Sequence, residues 1–297
     1  MRKGLILVNR YSDIKSIENQ AERIKNELAN LGVLVNVVKN GYQTYLDDNC
    51  NVINNLKGYD FCVYLDKDKY TGELLNKCGV RCFNSIDSIS ACDDKMETFI
   101  RLSNENIKIP LTFSSPLCYG DYLIDDEGLK IVAKTLGFPL VLKLSFSSLG
   151  KGVFLVEDFK SLKALTEKYK YEPKIYQQYI SSSYGQDIRI IVIGGKVVCG
   201  FKRVSKGDFR SNGALGGSGE KIVLKKEYVD VAVKVAKLLK LDYMGIDLLI
   251  GENGEPIVCE VNSNAFFSLA EEVTGVNVAK CYAEYIINTV YNSSMKE

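Results

Sequence analysis

The first ninety residues combine two spacings of hydrophobic positions. Residues 4–9 form a short apolar run typical of a buried strand, whereas residues 14–31 repeat apolar positions every three to four residues. The second spacing predicts an amphipathic helix, which Gly32 ends. Further elements are predicted as strand 33–39, helix 48–56 and strand 60–65. Strands that alternate with helices in this way favour a small parallel sheet covered by helices.

The rest of the chain predicts two further blocks, the first of mixed composition and the second rich in strands. Strands are predicted at 139–145, 152–156, 174–179, 187–193, 196–203, 244–250 and 256–262, and helices at 96–104, 126–136, 159–169, 226–240 and 276–290. The residue before Pro173 is biased toward extended backbone, which suits a boundary there. We therefore predict three domains, at 1–92, 93–173 and 174–297.

Two apolar stretches near the C-terminal end each carry an acidic residue and predict a hairpin. They are residues 244–250 and 256–262, and the pair Asn253-Gly254 lies between them. An Asn-Gly pair flanked by apolar runs is a strong signal for a two-residue hairpin turn. A turn centred on that pair places Ile250 opposite Ile257.

The same register brings oxygen ligands together on one face of the hairpin. Asp247 is predicted opposite Glu260, and Asn262 projects from the same face, opposite Gly245. Like charges opposed on a sheet repel, so without a metal the loss of one acid should leave the protein as stable or more stable. Oxygen ligands without His or Cys suit Mg²⁺ shared with phosphate oxygens. A solvated hairpin face is the alternative, and the apolar neighbours of both acids favour the metal site.

A loop rich in serine and glycine joins two predicted strands in the middle block. Its residues, including Ser148 and Gly150, offer exposed backbone N–H groups of the kind that hold phosphate oxygens. Lys143 lies inside the preceding apolar strand, where a buried ammonium is costly unless an anion meets it. A Ser/Gly hairpin alone is more often only a hairpin, and the loop lacks the order of glycines and lysine found in a P-loop.

A basic segment at 185–217 lies between these two signals. It begins as a predicted hairpin around Gly194-Gly195, which would place Asp187 opposite Lys202 as a cross-strand ion pair. The polar residues that follow are Arg203, Lys206, Arg210 and Asn212. Arg203 and Arg210 have no obvious acidic partners in this register. They therefore suit a transferring phosphoryl group or a substrate carboxylate.

Composition excludes several classes of protein. The 297 residues are 46% hydrophobic with a net charge of +1, which gives no reason to expect nucleic acid or an anionic membrane as a partner. The chain has no His, so a Ser-His-Asp triad and His-ligated metals are excluded. Nine Cys without a Cys-x-x-Cys pair predict reduced thiols in a cytoplasmic protein. No apolar run is long enough to cross a bilayer, and the N-terminal run is expected to be a strand rather than a signal peptide.

The order of these segments resembles the ATP-grasp superfamily, and specifically the RimK-like carboxylate–amine ligases, over about residues 90–292. The motifs that carry the resemblance are Asp94-Lys95, Lys143, Gln177-Gln178-Tyr179-Ile180, Gly185-Gln186-Asp187-Ile188-Arg189, Gly207-Asp208-Phe209-Arg210-Ser211-Asn212, Asp247 and Glu260-Val261-Asn262. Each motif is modest alone, and their common order is specific. The resemblance implies an α/β chain (α+β overall) with a small parallel N-terminal α/β domain, the pre-ATP-grasp domain, followed by the two α+β subdomains of an ATP-grasp fold.

The resemblance also implies roles for individual residues. ATP would be bound by Lys95, Lys143, Ser148, Gly150, Gln178, Tyr179, Ile180, Asp187, Arg210, Ser211 and Asn212. Two Mg²⁺ or Mn²⁺ ions would be held by Asp247, Glu260 and Asn262. Arg203, Arg210 and Asn212 would act on the transferring group, and Arg189 would contact substrate. Asn264 is also predicted to contact substrate, because it follows closely on the proposed metal ligand Asn262.

The implied reaction joins a carboxylate to an amine through an acyl phosphate, releasing ADP and phosphate. The expected partners are an amino acid such as glutamate and a carboxylate-bearing metabolite, peptide or carrier protein, in a homodimer or homotetramer. Residues 263–267 replace the Ser-Pro-Gly segment of ribosomal-protein-modifying members, so the resemblance does not identify the acceptor. The alternatives are a nucleotide-binding regulatory protein of the same fold, as in the synapsins, and a phosphotransferase that is not a ligase.

Overall fold

The computed structural model describes residues 2–12, 14–205, 207–211 and 218–294. Its strands are β1 (Lys3–Val8), β2 (Leu34–Lys39), β3 (Thr44–Leu46), β4 (Val52–Asn54), β5 (Phe61–Leu65), β6 (Arg81–Phe83), β7 (Thr112–Ser114), β8 (Leu140–Leu144), β9 (Val153–Val156), β10 (Lys174–Gln178), β11 (Gln186–Ile193), β12 (Lys196–Val204), β13 (Ser218–Lys221), β14 (Tyr243–Ile250) and β15 (Pro256–Asn262). Its helices are α1 (Lys15–Asn30), α2 (Lys69–Lys77), α3 (Ile86–Asp93), α4 (Lys95–Arg101), α5 (Asp126–Leu136), α6 (Phe159–Lys168), α7 (Lys226–Leu238), α8 (Ser268–Thr274) and α9 (Val278–Ser294). None of the helices in these ranges is both long and apolar enough to cross a bilayer.

The N-terminal sheet is parallel, with strand order β2-β1-β5-β6. This confirms the predicted α/β unit, in which continuous apolar strands are buried between helices. The helix predicted at 48–56 is wrong, because β3 and β4 form a small hairpin there. The Asp47 carboxylate accepts hydrogen bonds from the backbone N–H groups of Asn49 (3.0 Å) and Asn51 (2.7 Å), which closes a turn where a helix would need those groups.

The middle sheet is antiparallel, with order β7-β10-β8-β9. Strand β10 is assigned by its sequence to the last block, but the structure pairs it with β8 and β7 in the middle sheet. The apolar pattern of β10 predicts a strand without indicating its neighbours, and β8 needs a partner on the edge that β9 leaves open. Helices α5 and α6 cover one face of this sheet through a core that includes Leu129, Leu142 and Leu162.

The C-terminal sheet is antiparallel, with order β13-β12-β11-β14-β15. Helix α7 covers one face through Ala232 and Val235. The other face shares one hydrophobic core with α8, α9 and the N-terminal sheet, in which Ile191 and Tyr243 pack in the same cluster as Phe61. This shared core positions the N-terminal sheet beside strands β14 and β15.

Candidate functional site

A cleft of about 890 Å³, counting the solvent at its mouth, lies between the middle and C-terminal sheets. Most of the residues predicted to bind ATP or act on it line this cleft. They are Lys95, Lys143, Ser148, Gly150, Gln178, Tyr179, Ile180, Asp187, Arg203, Arg210, Ser211, Asp247 and Glu260.

Four predicted residues do not contribute to the described lining. Asn212 lies outside the described residues. Arg189, Asn262 and Asn264 are described but stand behind or beside the lining. Arg189 contacts the Asp247 carboxylate, and Asn264 donates a hydrogen bond to the backbone oxygen of Asp66 in the N-terminal block (3.3 Å).

Sequence reasoning missed the apolar wall of the cleft. Val141, Leu249 and Cys259 belong to it. Val141 precedes Lys143 by two positions and Leu249 follows Asp247 by two, so each shares a strand face with a residue that was predicted. That two-residue spacing was a usable signal. An apolar wall beside the charged residues suits the face of an adenine ring.

The hairpin β14–β15 has the predicted pairing at its functional end. Asp247 lies opposite Glu260, and Gly245 lies opposite Asn262. The pairing near the turn is wrong by one residue, because Ile250 lies opposite Pro256 rather than Ile257. The turn spans 251–255, where the Gly251 N–H donates to the Glu255 carbonyl (2.8 Å). A bulge at Cys259 absorbs the extra residue and restores the predicted register beyond it.

The hairpin β11–β12 has the predicted two-residue turn but not the predicted pairing. A bulge beside Ile191 and Val192 leaves Val198 without a partner, so Asp187 lies opposite Arg203. The predicted ion pair of Asp187 with Lys202 is therefore wrong. Lys202 instead lies 3.9 Å from Glu220 on the neighbouring strand β13.

Arg203 is the centre of a buried ion-pair network, so the expectation that it lacks an acidic partner is wrong. Its Nε donates to Asp187 Oδ1 (2.8 Å), and its Nη2 contacts both Asp187 Oδ2 and Asp247 Oδ2, the latter at 2.8 Å. Arg189 Nη2 also donates to Asp247 Oδ2 (2.8 Å). Arg203 is 6% exposed and Asp247 is 4% exposed. Gly245 permits this approach, since a Cβ atom there would lie 2.8 Å from Arg189 Nη1.

The network sets the charge state of Asp247. Burial by itself would raise the pKa of this carboxyl, but Arg189 and Arg203 hold it below its ordinary value. The premise that Asp247 is destabilised by its opposed acid therefore fails, because two guanidinium groups neutralise it. Removing the Asp247 charge would leave two cations short of a buried partner.

Two lysines face these acids across the cleft. Lys95 is 7% exposed; its Nζ donates to the Ser147 carbonyl (2.5 Å) and lies 3.9 Å from Glu260 Oε1. Burial lowers the pKa of Lys95; Glu260 opposes this shift, and Lys143 and Lys67 add to it. Lys143 is 8% exposed and its Nζ lies 3.5 Å from Cys259 Sγ, with no carboxylate in salt-bridge distance among the described residues. Such buried ammonium groups suit phosphate oxygens.

Arg210 joins the serine/glycine loop to the C-terminal half of the chain. Its Nη1 donates to the Gly150 carbonyl (2.8 Å), and its Nη2 pairs with Asp208 Oδ2 (2.7 Å). The expectation that Arg210 has no acidic partner is thus also wrong. The hydrogen bonds from Arg210 lower the pKa of Asp208. The guanidinium group is held at the cleft wall together with Ser211.

The strand β10 runs into the segment expected to read the adenine edge. Gln178, Tyr179 and Ile180 all line the cleft. The Gln178 N–H donates a hydrogen bond to the Leu111 carbonyl (2.9 Å), so this N–H already has a partner within the protein. The backbone groups of Tyr179 and Ile180 are therefore the better candidates for base recognition. The Tyr179 ring packs edge-on against Phe209, with centroids 6.3 Å apart.

The acids of β14 and β15 fit a hard cation bound together with a ligand. The Glu260 side chain is 34% exposed at the cleft, and within the described ranges Lys95 is its one salt-bridge partner, at 3.9 Å. In the described part of the chain no three His, Cys, Asp or Glu side chains converge on one metal position. A cation here would complete its shell with the Asn262 amide oxygen, phosphate oxygens and water, which is how Mg²⁺ is commonly held.

Two antiparallel sheets face each other across a cleft, with Lys143 from the middle sheet, Lys95 from helix α4 and the acids from the C-terminal sheet; this arrangement defines an ATP-grasp fold. The solved structure of D-alanine–D-alanine ligase from Bacillus anthracis complexed with ATP has this fold. It superposes with a TM-score of 0.76 at 20% identity and covers 100% of this chain and 99% of that chain.

The chain belongs to the RimK-like ATP-grasp domain family, which it matches over residues 92–286. It is similar to N-acetylaspartylglutamate synthase A of Homo sapiens, with 34% identity over 237 residues, 77% of this chain and 58% of that protein. It is also similar to a probable alpha-L-glutamate ligase of Maridesulfovibrio salexigens, with 37% identity over 212 residues, 70% of this chain and 67% of that protein. The chain thus spans little more than half the length of the first of these relatives.

Proposed function

We propose that the protein is an ATP-dependent carboxylate–amine ligase. ATP transfers its γ-phosphoryl group to a substrate carboxylate, and an amine then attacks the acyl phosphate to form an amide, with release of ADP and phosphate. The observation that carries this proposal is the cleft itself, in which buried Lys95 and Lys143 face the opposed carboxylates of Asp247 and Glu260. Phosphoryl transfer depends mainly on positioning and charge neutralisation, so the absence of His is compatible with it.

The two lysines and Arg210 are the proposed phosphate-binding residues. Lys143 gains an anionic partner when a phosphate enters, which offsets the cost of burying its ammonium group. Arg210 is tied to Gly150, so it holds the serine/glycine loop against the phosphates. Ser148, Gly150 and Ser211 line the same region and supply hydrogen-bond donors. Asn212 is assigned to this group by the family resemblance.

Asp247, Glu260 and Asn262 are the proposed ligands of Mg²⁺ or Mn²⁺. A divalent ion held by these oxygens neutralises charge on the transferring phosphoryl oxygens. The protein's own contribution is to keep the Asp247 carboxylate ionised. Arg189 and Arg203 do this for Asp247 by lowering its pKa. Arg203 also lines the cleft, where its guanidinium group can orient a substrate carboxylate.

The amine substrate is proposed to be an amino acid, with glutamate as the first candidate, because two relatives are named for glutamate-containing products or for glutamate ligation. The acid is a small carboxylate, a peptide or a carrier protein. All nine cysteines are free thiols, which fits a reducing compartment such as the cytoplasm.

The test is ATP turnover measured as ADP and phosphate release with pools of carboxylic acids and amino acids. A ligase releases both products only when an acid and an amine are present together, and the amide is found by mass spectrometry. Glu260→Gln is the control for contaminating ATPases. Transfer of phosphate to a product without an amine would indicate a phosphotransferase, and ATP binding without turnover under any pair would indicate a regulatory protein.

A further inference from the structure

The bulge in β15 turns two consecutive side chains toward the cleft. Successive residues of a strand normally face opposite sides of a sheet. In β15, Cys259 has no partner on β14, and both Cys259 and Glu260 line the cleft, whereas Val258 and Val261 are buried in the core shared with α7. Bulges near active sites redirect side chains in this way. The Cys259 thiol is therefore presented to the cleft, where it is partly exposed.

Lys143 reaches the same thiol from the opposite wall. It lies on β8 of the middle sheet, and its Nζ is 3.5 Å from Cys259 Sγ. Lys143 is 8% exposed, and within the described ranges this contact is the one hydrogen bond of its ammonium group, without a carboxylate in salt-bridge distance. A buried amine and a thiol thus lie side by side, and they belong to different sheets.

Position, rather than acidity, distinguishes Cys259 from the other thiols. Burial raises the pKa of Cys259, and Lys143 opposes this shift. The thiol is therefore largely protonated at neutral pH and reacts slowly with oxidants. In the described part of the chain, however, Cys259 is the one cysteine with a lysine amine in hydrogen-bond distance. An oxidised sulfur at this position has a nitrogen beside it with which to react.

We propose that Cys259 and Lys143 form a reversible N–O–S cross-link under sustained oxidation, and that this cross-link closes the cleft to nucleotide. The oxidant is a peroxide. One hydrogen peroxide converts the thiol to a sulfenic acid, leaving one oxygen on sulfur and releasing the other as water. A second hydrogen peroxide oxidises the nitrogen of Lys143 as the sulfenic oxygen bonds to it. This step breaks the peroxide O–O bond, releases two waters and returns one proton of the ammonium group to solvent.

The cross-link acts on nucleotide binding in two ways. It converts the Lys143 ammonium, a proposed phosphate-binding group, into an uncharged substituted hydroxylamine. It also joins β8 of the middle sheet to β15 of the C-terminal sheet across the cleft. Bound nucleotide in turn prevents the reaction, because its phosphate oxygens engage the Lys143 amine. The inference rests on the proposed nucleotide-binding role of Lys143, and it goes further by making that role dependent on oxidation.

The experiment treats wild type, Cys259→Ala, Lys143→Gln and the matched control Cys78→Ala, which removes an exposed thiol of the N-terminal block, with hydrogen peroxide. Digestion and mass spectrometry without reductant should find the Cys259 and Lys143 peptides joined in wild type and Cys78→Ala, heavier than their sum by one oxygen and lighter by two hydrogens. The joined peptides should be absent from the other two variants and after dithiothreitol. Mg²⁺ with a non-hydrolysable ATP analogue should suppress them.

Calorimetry with the same ATP analogue measures the consequence for binding, and each protein is compared with its own untreated sample. Oxidation should weaken binding at least tenfold in wild type and Cys78→Ala, and dithiothreitol should restore it. In Cys259→Ala, oxidation should change binding by less than twofold. A loss in Cys259→Ala as large as in wild type would overturn the inference. Sulfenic acid at Cys259 without a link to Lys143, or cross-linked protein that binds the analogue normally, would overturn it as well.

Both measurements are independent of ligation, so this inference and the proposed function can fail separately. If the cross-link forms and blocks the nucleotide while untreated wild type joins no acid to any amine, the inference stands and the ligase function is overturned. If wild type is a ligase and peroxide produces no cross-link, the ligase function stands and the inference is overturned.

Discussion

The two hairpins that carry the acids of the cleft, β11–β12 and β14–β15, both contain a bulge, with opposite results for prediction. In β14–β15 the bulge at Cys259 compensates for a longer turn, so Asp247 still lies opposite Glu260. In β11–β12 the turn is as predicted and the bulge at Val198 is uncompensated, so Asp187 lies opposite Arg203 instead of Lys202. A turn signal therefore predicts strand pairing correctly only where the turn length and the bulges together leave the register unchanged.

The two hairpins also differ in how their carboxylates are held. Asp187 and Asp247 share the buried Arg203, and Asp247 also pairs with Arg189, whereas Glu260 is partly exposed and has one lysine at 3.9 Å. The same residue type on neighbouring strands thus serves two purposes. Asp187 and Asp247 are held by the protein's own cations, although Asp247 also lines the cleft, and Glu260 is the less engaged of the two carboxylates at the proposed metal site.

The largest expected effect separates these two kinds of carboxylate. Glu260→Gln and Asp247→Asn should each lower ATP turnover by about a thousandfold, since both remove charge from the proposed metal site. Asp247→Asn should also lower the free energy of unfolding by about 3 kcal/mol, because the buried Arg203 and the partly buried Arg189 lose a charged partner. Glu260→Gln should change it by less than about 0.5 kcal/mol. Urea denaturation measures the unfolding free energy and an ATP turnover assay measures activity. Equal stability losses in the two variants would contradict the distinction between the buried Asp247 and the partly exposed Glu260.

Acid titration sharpens the same contrast. The Asp247 pKa is lower in the folded protein than its ordinary value, so its stabilising contribution is present above that ordinary value and is lost as pH falls through the folded pKa. The difference in unfolding free energy between wild type and Asp247→Asn should therefore be constant from about pH 7 to 5 and shrink below about pH 4. Urea denaturation at stepped pH measures it, and a difference that grows in acid would contradict this assignment.

The pairing in β11–β12 is tested by substituting Arg203 and its neighbour Lys202 and comparing the stability of the two variants. Arg203→Lys keeps the charge but loses the two-pronged contact with Asp187, and it should destabilise the protein by about 2 kcal/mol and raise the KM for ATP. Lys202→Gln removes only a surface pair and should cost less than about 0.5 kcal/mol. Urea denaturation of both variants tests the register. Without a bulge, Asp187 would lie opposite Lys202, and Lys202→Gln would then destabilise the protein more than Arg203→Lys.

The smallest effect concerns the bulge in β14–β15. Cys259→Ala should cost about 1 kcal/mol of stability and change the KM for ATP by less than threefold, because the long turn, rather than the thiol, places the extra residue there. Val198→Ala is the matched change in the other hairpin. A loss of turnover in Cys259→Ala as large as that in Glu260→Gln would mean that the side chain itself holds the register.

Much of the cleft was accessible to sequence reasoning because its residues break strong local patterns. Lys143 interrupts an apolar strand, and Asp247 and Glu260 interrupt two more. Each is therefore recognisable as a candidate functional residue, because it stands where an apolar residue is expected. The apolar members Val141, Leu249 and Cys259 break no pattern, and were missed for that reason. The acidic partners of Arg203 and Arg210 were missed because one depends on a bulge and the other on a loop conformation.

The sequence by itself determined most of the long strands and helices, the two-residue turn at Gly194-Gly195, the place but not the length of the turn at Asn253-Gly254, and the chemistry of the opposed acids. These follow from periodicity and local backbone preference, which act over a few residues. The tertiary structure decided that β10 joins the middle sheet, that Arg203 meets Asp187 and Asp247, and that Asn264 contacts Asp66 of the N-terminal sheet. Those contacts join residues distant in the chain, and they depend on how sheets share a core and absorb an extra residue, which no local pattern specifies.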